Sequence, residues 1–362
     1  MQNTFKVQSN TPLKNPPADY CPDNSERWFE LPSGLDAGKT LFYYDHTIGQ
    51  GKPTSTVVFV HGNPESSYTY RHVRDELVSA NQKSANQNCR LIGIDNIGYG
   101  LSDQASFEMV DMHHADNVLQ LIQHLDLKKV TLVIHDWGGP IGVGAFIQEP
   151  WRVRNLVVLN TTVFPMPSDG ITYKNYPINW LPWCKTPNII PDALWAGVAA
   201  YVVPHASPQG TIKFLCGTAK YVTLCALGLL KQGSVEYTFS QPFKSKMNAR
   251  SSKRMVRQTP VWGHGYRYND KKHGVQDNHH FYQQIQDNIA QHWGKDSTVQ
   301  VAGFFGQWDA CGKDSVVEQW QSALPQMKEH TYKYADVGHF IEEQKGAEIA
   351  QAILKIHNEN TK

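Results

Sequence analysis

An aspartate ends an apolar run in Val130-Thr-Leu-Val-Ile-His-Asp-Trp-Gly-Gly139. The run reads as a strand, and the small residues behind it let a tight turn open straight into a helix. A carboxylate at such a turn lies near the positive end of the helix dipole. Kept ionised there, Asp136 can attack carbon and form a covalent ester. An aspartate ahead of a helix is also an ordinary cap, so the chemical reading depends on companions elsewhere in the chain.

Two companions stand near the C-terminus. Tyr332-Lys-Tyr-Ala-Asp-Val-Gly-His-Phe340 reads as a short strand followed by a loop that carries His339 toward the last helix. A histidine after the final strand can act as general base and activate water against an ester on Asp136. A surface role is the ordinary reading for any one of 16 histidines; position singles out His339. A carboxylate must orient that imidazole. Phe305-Gly-Gln-Trp-Asp309 supplies one where the preceding strand ends, with Asp314 as the competitor five residues on. The chain order Asp136, Asp309, His339 is the nucleophile, acid, base order of strand-to-helix triads.

A third feature follows the strand Val57–Val60, in His61-Gly-Asn-Pro-Glu-Ser-Ser67. The amides of Asn63 and Trp137 are expected to face the charge that develops on the substrate. The Asn63 amide and the Trp137 indole N–H are neutral donors. Together they suit a departing halide, which needs stabilisation but no proton. Taken singly, Trp137 would read as core packing and Asn63 as a turn residue before proline. The Gly-rich loop Asp95-Asn-Ile-Gly-Tyr-Gly-Leu-Ser-Asp103 is assigned to the rim of the site. It lacks the lysine of a phosphate loop and the spacing of a dinucleotide fingerprint.

The elements that must hold these residues are legible as short β-branched runs at 57–60, 91–94, 130–134, 156–159 and 301–305, each ending in a turn. Continuous apolar runs of this length suit buried parallel strands. Helical patterns at 113–125, 140–148 and 347–357 alternate with them. The expected fold class is therefore α/β, a mostly parallel, doubly wound sheet with its ligands beyond the carboxyl ends of the strands. From 165 to about 260 the sequence is rich in Trp, Tyr and Pro with no clear strand, which predicts an inserted helical cap. Residues 1–35 read as an irregular arm, 36–164 as the first part of the core, 261–297 as a connecting segment and 298–362 as the second part of the core. Within the connecting segment, the His-rich stretch 263–280 reads as an exposed loop.

At 362 residues and a formal net charge of +1, the chain can bury a large core and gives no electrostatic reason to expect nucleic acid. Its six cysteines form no C-x-x-C pair, which argues against a zinc site or a disulfide framework and for reduced thiols in the cytoplasm. The N-terminus has no apolar signal segment. The most apolar stretches, 194–203 and 221–230, are shorter than the roughly 20 residues that span a bilayer. They read as pocket-lining helices, without stable membrane insertion. No cofactor or metal is expected, and the expected partner is a small apolar substrate; the oligomeric state stays open.

On His61-Gly-Asn-Pro, Asp95-x-x-Gly-x-Gly-x-Ser-Asp103, Val133-Ile-His-Asp-Trp-Gly138 and Gly338-His339, the chain resembles the haloalkane dehalogenase family of the α/β-hydrolase superfamily. The resemblance covers roughly 40–165 and 298–357 well and the cap poorly; the cap is longer than is usual in that family. It implies halide displacement by Asp136, water activated by His339, Asn63 and Trp137 as the halide pair, and no cofactor. Asn160 stands where one subgroup carries the orienting Glu, which leaves that task to Asp309. The resulting Asp–His–Asp set is similar to that of β-lactone decarboxylases of olefin synthesis, and the stretch Leu156–Pro167 looks especially like theirs. Epoxide hydrolases also use an Asp nucleophile. They would need cap tyrosines, for which Tyr173, Tyr176, Tyr201, Tyr221 and Tyr237 are available. A non-catalytic receptor on the same fold is the remaining alternative.

Overall fold

A computed structural model describes residues 5–83, 88–167, 169 and 181–359. Ten strands are present among them: β1 Glu26–Glu30, β2 Thr40–Ile48, β3 Ser55–Val60, β4 Cys89–Ile94, β5 Val130–His135, β6 Val153–Leu159, β7 Arg267–Asp270, β8 Gly274–Asp277, β9 Gln300–Gly306 and β10 Thr331–Tyr334. Eight of them form one sheet in the order β1-β2-β4-β3-β5-β6-β9-β10. From β4 to β10 the neighbours are parallel, while β1 and β2 are antiparallel additions at one edge.

The apolar runs become strands because both faces of the sheet are covered. Val58, Val60, Leu132, Ile134, Leu156 and Val158 point into one buried cluster. Val57, Phe59, Val133, Val157 and Leu159 point into the other. Helices α1 Arg71–Lys83, α2 Asp111–His124 and α3 Gly138–Phe146 follow successive strands. Each crossover returns the chain to the same end of the sheet, so the residues after β3, β4, β5, β6 and β9 share that end.

Between β6 and β7 the described residues are helical: α4 Thr186–Ile189, α5 Asp192–His205, α6 Thr211–Ala226, α7 Val235–Ser240 and α8 Lys246–Gln258, with short 3-10 turns. Four more helices follow among the described residues: α9 His279–Trp293, α10 Asp314–Ala323, α11 Ile341–Gln344 and α12 Gly346–Glu359. No described helix is long and apolar enough to cross a membrane.

Two expectations are corrected. Residues 26–30 fall in the supposed irregular arm but form β1, paired antiparallel with β2 from Glu26–Tyr44 to Glu30–Thr40. The charged ends of Glu-Arg-Trp-Phe-Glu mask an edge strand. The supposed exposed loop at 263–280 contains the antiparallel hairpin β7–β8 and the start of α9. Asp270 closes its turn by accepting from the amides of Lys272 and His273 at 2.8 and 2.9 Å. Buried Tyr268 and Gln276 anchor the hairpin on the loop before α2 and on His113.

Candidate active site

The turn after β5 is sharp: Asp136 has φ 49°, a left-handed conformation that side chains other than glycine adopt at a cost. Close packing holds it there. A Cβ on Gly62 would lie 2.5 Å from Asp136 Oδ2, and one on Gly138 2.1 Å from the Val60 carbonyl oxygen. Glycine at both positions lets β3 and α3 close around the aspartate. The Asp136 carbonyl accepts from Gly139 N at 3.0 Å and from the Thr161 hydroxyl. Its side chain is buried, and Oδ2 accepts from the Asn63 amide at 2.7 Å.

His339 meets the other oxygen, with Nε2 3.2 Å from Asp136 Oδ1. Its Nδ1 lies 2.7 Å from Asp309 Oδ2, and Asp309 Oδ1 accepts from the Cys311 amide at 2.8 Å. Asp314 is remote from this cluster; it opens α10 and pairs with Lys333 on the surface. Burial alone would lower the His339 imidazole. The charge of Asp309 and the hydrogen bonds to Asp136 and Asp309 outweigh burial and hold it well above its ordinary 6.5. Esterifying Asp136 would remove one of these carboxylate charges and release the imidazole toward its neutral, basic form.

Asn160 joins the end of β9 to the loop that carries His339. Its Nδ2 donates to the carbonyls of Gly338 and His339 at 3.0 and 2.7 Å, and its Oδ1 accepts from Gly306 N at 2.8 Å. A second brace comes from His135, whose Nε2 lies 2.8 Å from the His339 carbonyl and whose Nδ1 lies 2.8 Å from Glu65 Oε1. Burial, then the charge of Asp136, raise the Glu65 carboxyl, and burial lowers the His135 imidazole. Both shifts favour a neutral pair in which Glu65 donates to Nδ1 and Nε2–H donates to His339. Buried Glu342 accepts from Thr69 Oγ1 at 2.6 Å, and burial is the main cause pushing its carboxyl up to about 8. Glu65, His135 and His339 offer ligand-type atoms within 4.8 Å of one another, but these nitrogens already face carboxylates and a carbonyl.

Asn63 is oriented from two sides. Tyr99 of the Gly-rich loop donates to Asn63 Oδ1 at 2.9 Å, and Ser252 Oγ on α8 donates to it at 2.5 Å. Ser252 accepts in turn from the Trp195 indole on α5 at 2.8 Å. An indole N–H only donates, so the serine proton is directed to Asn63. This fixes Oδ1 as acceptor and leaves Nδ2 as donor, with one long contact of 3.4 Å to the Ser252 carbonyl. His61 Nε2 accepts from Asn96 N at 2.9 Å and Nδ1 lies 2.7 Å from the Gly62 carbonyl; burial pushes this imidazole down to about 4, so it pins the loop as a neutral ring. Trp137 is fully buried, its ring stacked on Trp262 with centroids 4.0 Å apart.

Asn63, Asp136, Asp309 and His339 lie together on the lining of a cavity of about 280 Å³. Its remaining wall is largely apolar and comes mostly from the helices between β6 and β7, including Trp183, Ile190, Val198, Val202 and Phe214. Tyr201, Tyr221 and Tyr237 are not among the lining residues, and Tyr173 and Tyr176 lie outside the described residues. Sequence reasoning missed Glu65, His135, Ser252, Trp195 and Glu342. His135 and Glu65 lie inside the motifs around Asp136 and Asn63, and that position was the available signal. Nothing local marked the other three. The arrangement can deliver a carboxylate to a carbon atom, hold a proton beside it and offer the Asn63 side-chain amide to a departing anion, in an apolar enclosure; Trp137, expected as the second donor, is not among the lining residues.

Residues 55–345 match the family model described as alpha/beta hydrolase fold. The chain is 28% identical over 319 residues to the cis-3-alkyl-4-alkyloxetan-2-one decarboxylase of Shewanella oneidensis, covering 86% of this chain and 83% of that protein. It is 35% identical over 137 residues to a haloalkane dehalogenase of Mycolicibacterium smegmatis, covering 36% of this chain and 40% of that one. Among solved structures, a tetrameric haloalkane dehalogenase from Paraglaciecola agarilytica superposes with a TM-score of 0.63 at 20% identity, covering 94% of this chain and 97% of that one.

Proposed function

The chain belongs to the alpha/beta hydrolase fold family, and from that premise we propose that it is a β-lactone decarboxylase that uses Asp136 as nucleophile. The observation that carries this reading is the Asp136–His339–Asp309 constellation on the lining of a largely apolar cavity. The end-to-end similarity to an oxetan-2-one decarboxylase supports it, because that similarity extends over 86% of the chain.

In the proposed reaction Asp136 attacks the ring carbon that bears the ring oxygen. The carbon–oxygen bond breaks, giving an aspartyl ester and a free carboxylate on the neighbouring carbon. Loss of carbon dioxide then forms the carbon–carbon double bond and expels the Asp136 carboxylate. The ring carbonyl carbon leaves with both ring-derived oxygens, so the atoms balance without water. Asn63 and Trp137 stabilise the carboxylate released from the ring. The His339 imidazolium, held by Asp309, stabilises Asp136 as it departs.

Haloalkane hydrolysis is the second reading, favoured by the neutral donor of Asn63 on the cavity lining. It shares the attack by Asp136 but ends when His339 activates water against the ester. A product assay separates the two. Purified protein is incubated with a cis-dialkyl-β-lactone and, separately, with bromoalkanes. Alkene with cis geometry and no hydroxy acid is the expected result. Intact lactone together with bromide release would replace the proposal by the second reading.

A further inference from the structure

The helices over the cavity are apolar on the outside as well as the inside. Of eight exposed large apolar side chains among the described residues, five fall between 189 and 229: Ile189, Ile212, Leu215, Leu227 and Leu229. Ile212 is 80% exposed. On α6, Ile212, Leu215, Ala219, Thr223 and Ala226 recur at helical spacing, and all are exposed. They form an outer stripe that continues into Leu227 and Leu229. The same helix reaches the cavity through Phe214, Leu215 and Thr218. Leu215 belongs to both surfaces, so apolar surface runs from the outside of the helix into the cavity.

The charge on this segment has one sign. No Asp or Glu occurs between Asp192 and Glu236, whereas Lys213, Lys220 and Lys231 are all present and exposed. Protein interfaces are depleted in lysine, and an acidic protein partner would not call for a stripe of exposed leucine and isoleucine. Lysines beside an exposed apolar stripe are the pattern of a helix lying in a lipid headgroup region. Each lysine near an anionic bilayer strengthens partitioning about fivefold.

We propose that α6 and the segment after it dock this protein on an anionic lipid surface, and that substrate enters the cavity past Leu215 from the bilayer. Docking stands on the surface alone; the entry route also rests on the proposed reaction, whose dialkyl substrate is lipid-soluble. The helix lies on the membrane and does not cross it, in keeping with its length and that of its neighbours.

The test is co-sedimentation of the full chain with phosphatidylcholine vesicles, with and without phosphatidylglycerol. Binding is expected only where phosphatidylglycerol is present and is expected to weaken with added salt. The variant Ile212→Asp/Leu229→Asp, whose positions do not line the cavity, is expected to bind at least tenfold more weakly. It should keep wild-type turnover of a short, water-soluble β-lactone and lose turnover of a long-chain lactone dissolved in vesicles. Wild-type protein that stays in the supernatant with phosphatidylglycerol vesicles overturns docking. So does binding that the variant leaves unchanged, or self-association through this face without vesicle binding. Vesicle binding by a wild-type protein that turns over no β-lactone overturns the proposed reaction and leaves docking standing. Equal turnover of vesicle-borne lactone by variant and wild type overturns the entry route.

Discussion

The floor and the roof of the cavity are held by different forces. On the floor, Asp136, His339 and Asp309 project from turns after parallel strands; Asn160 and His135 tie those turns to one another at 2.7 to 3.0 Å, and the Cys311 amide fixes Asp309 within its own turn at 2.8 Å. The roof meets the cavity mainly with Trp, Ile, Val and Phe side chains. Directional hydrogen bonds fix reacting atoms in one geometry, whereas dispersion contacts tolerate changes of shape. Under the proposed function the floor sets the reaction and the roof sets what may enter. The chain Trp195–Ser252–Asn63 crosses between them, so the roof also reaches a polar group on the cavity lining.

Substitutions can break or sharpen this contrast. The largest effect among residues around Asp136 is expected for His339→Gln, which should lower alkene formation from a β-lactone about 10³-fold with little change in KM. If the dehalogenase chemistry also operates, the same variant should accumulate an alkyl adduct when given a bromoalkane, visible by intact-mass spectrometry. Asn63→Ala removes a donor to the departing anion and is expected to reduce kcat about 10²-fold. Ser252→Ala reaches the reaction only through the Asn63 amide, so about a tenfold fall in kcat at unchanged KM is expected, with recovery in Ser252→Thr. A fall in KM affinity alone would make Ser252 a wall residue and remove the link between roof and floor.

The smallest effect concerns stability. Glu342 is raised from 4.5 to about 8 by burial, so the folded state holds a proton that the unfolded state releases between those values. Folding stability is then lost as pH rises from 4.5 toward 8. Glu342→Gln should be close to wild type at the acid end and gain on the order of 1–3 kcal/mol at the alkaline end. Urea denaturation at the two pH values measures the difference; parallel pH profiles would contradict the assignment.

How much of this was legible in the sequence follows the same contrast. Strands at 57–60, 91–94, 130–134, 156–159 and 301–305 were readable because burial on both faces demands uninterrupted apolar runs. Asp136, Asp309 and Asn63 were readable because each follows such a run closely, and His339 because it lies on the loop between the short last strand and the final helices. β1 was not, since an edge strand alternates and Glu26 and Glu30 interrupt it. The hairpin β7–β8 was not, because four-residue strands carry too little periodicity. The partners of Asn63 lie 36 and 189 residues away, and Glu342 meets Thr69 across 273 residues. Contacts at such separations follow from topology and leave no local pattern. The acid-free, lysine-bearing stretch between Asp192 and Glu236 was visible in the sequence, but its outward direction needed the packed helix.

Single turnover by Asp136→Ala against wild type, with a cis-dialkyl-β-lactone and circular dichroism as the check on folding, addresses the nucleophile most directly. Wild type should release alkene and carbon dioxide in equal amounts, while the folded variant returns the lactone unchanged. Alkene formed by the folded variant at the wild-type rate would contradict the assignment of Asp136 as the attacking group.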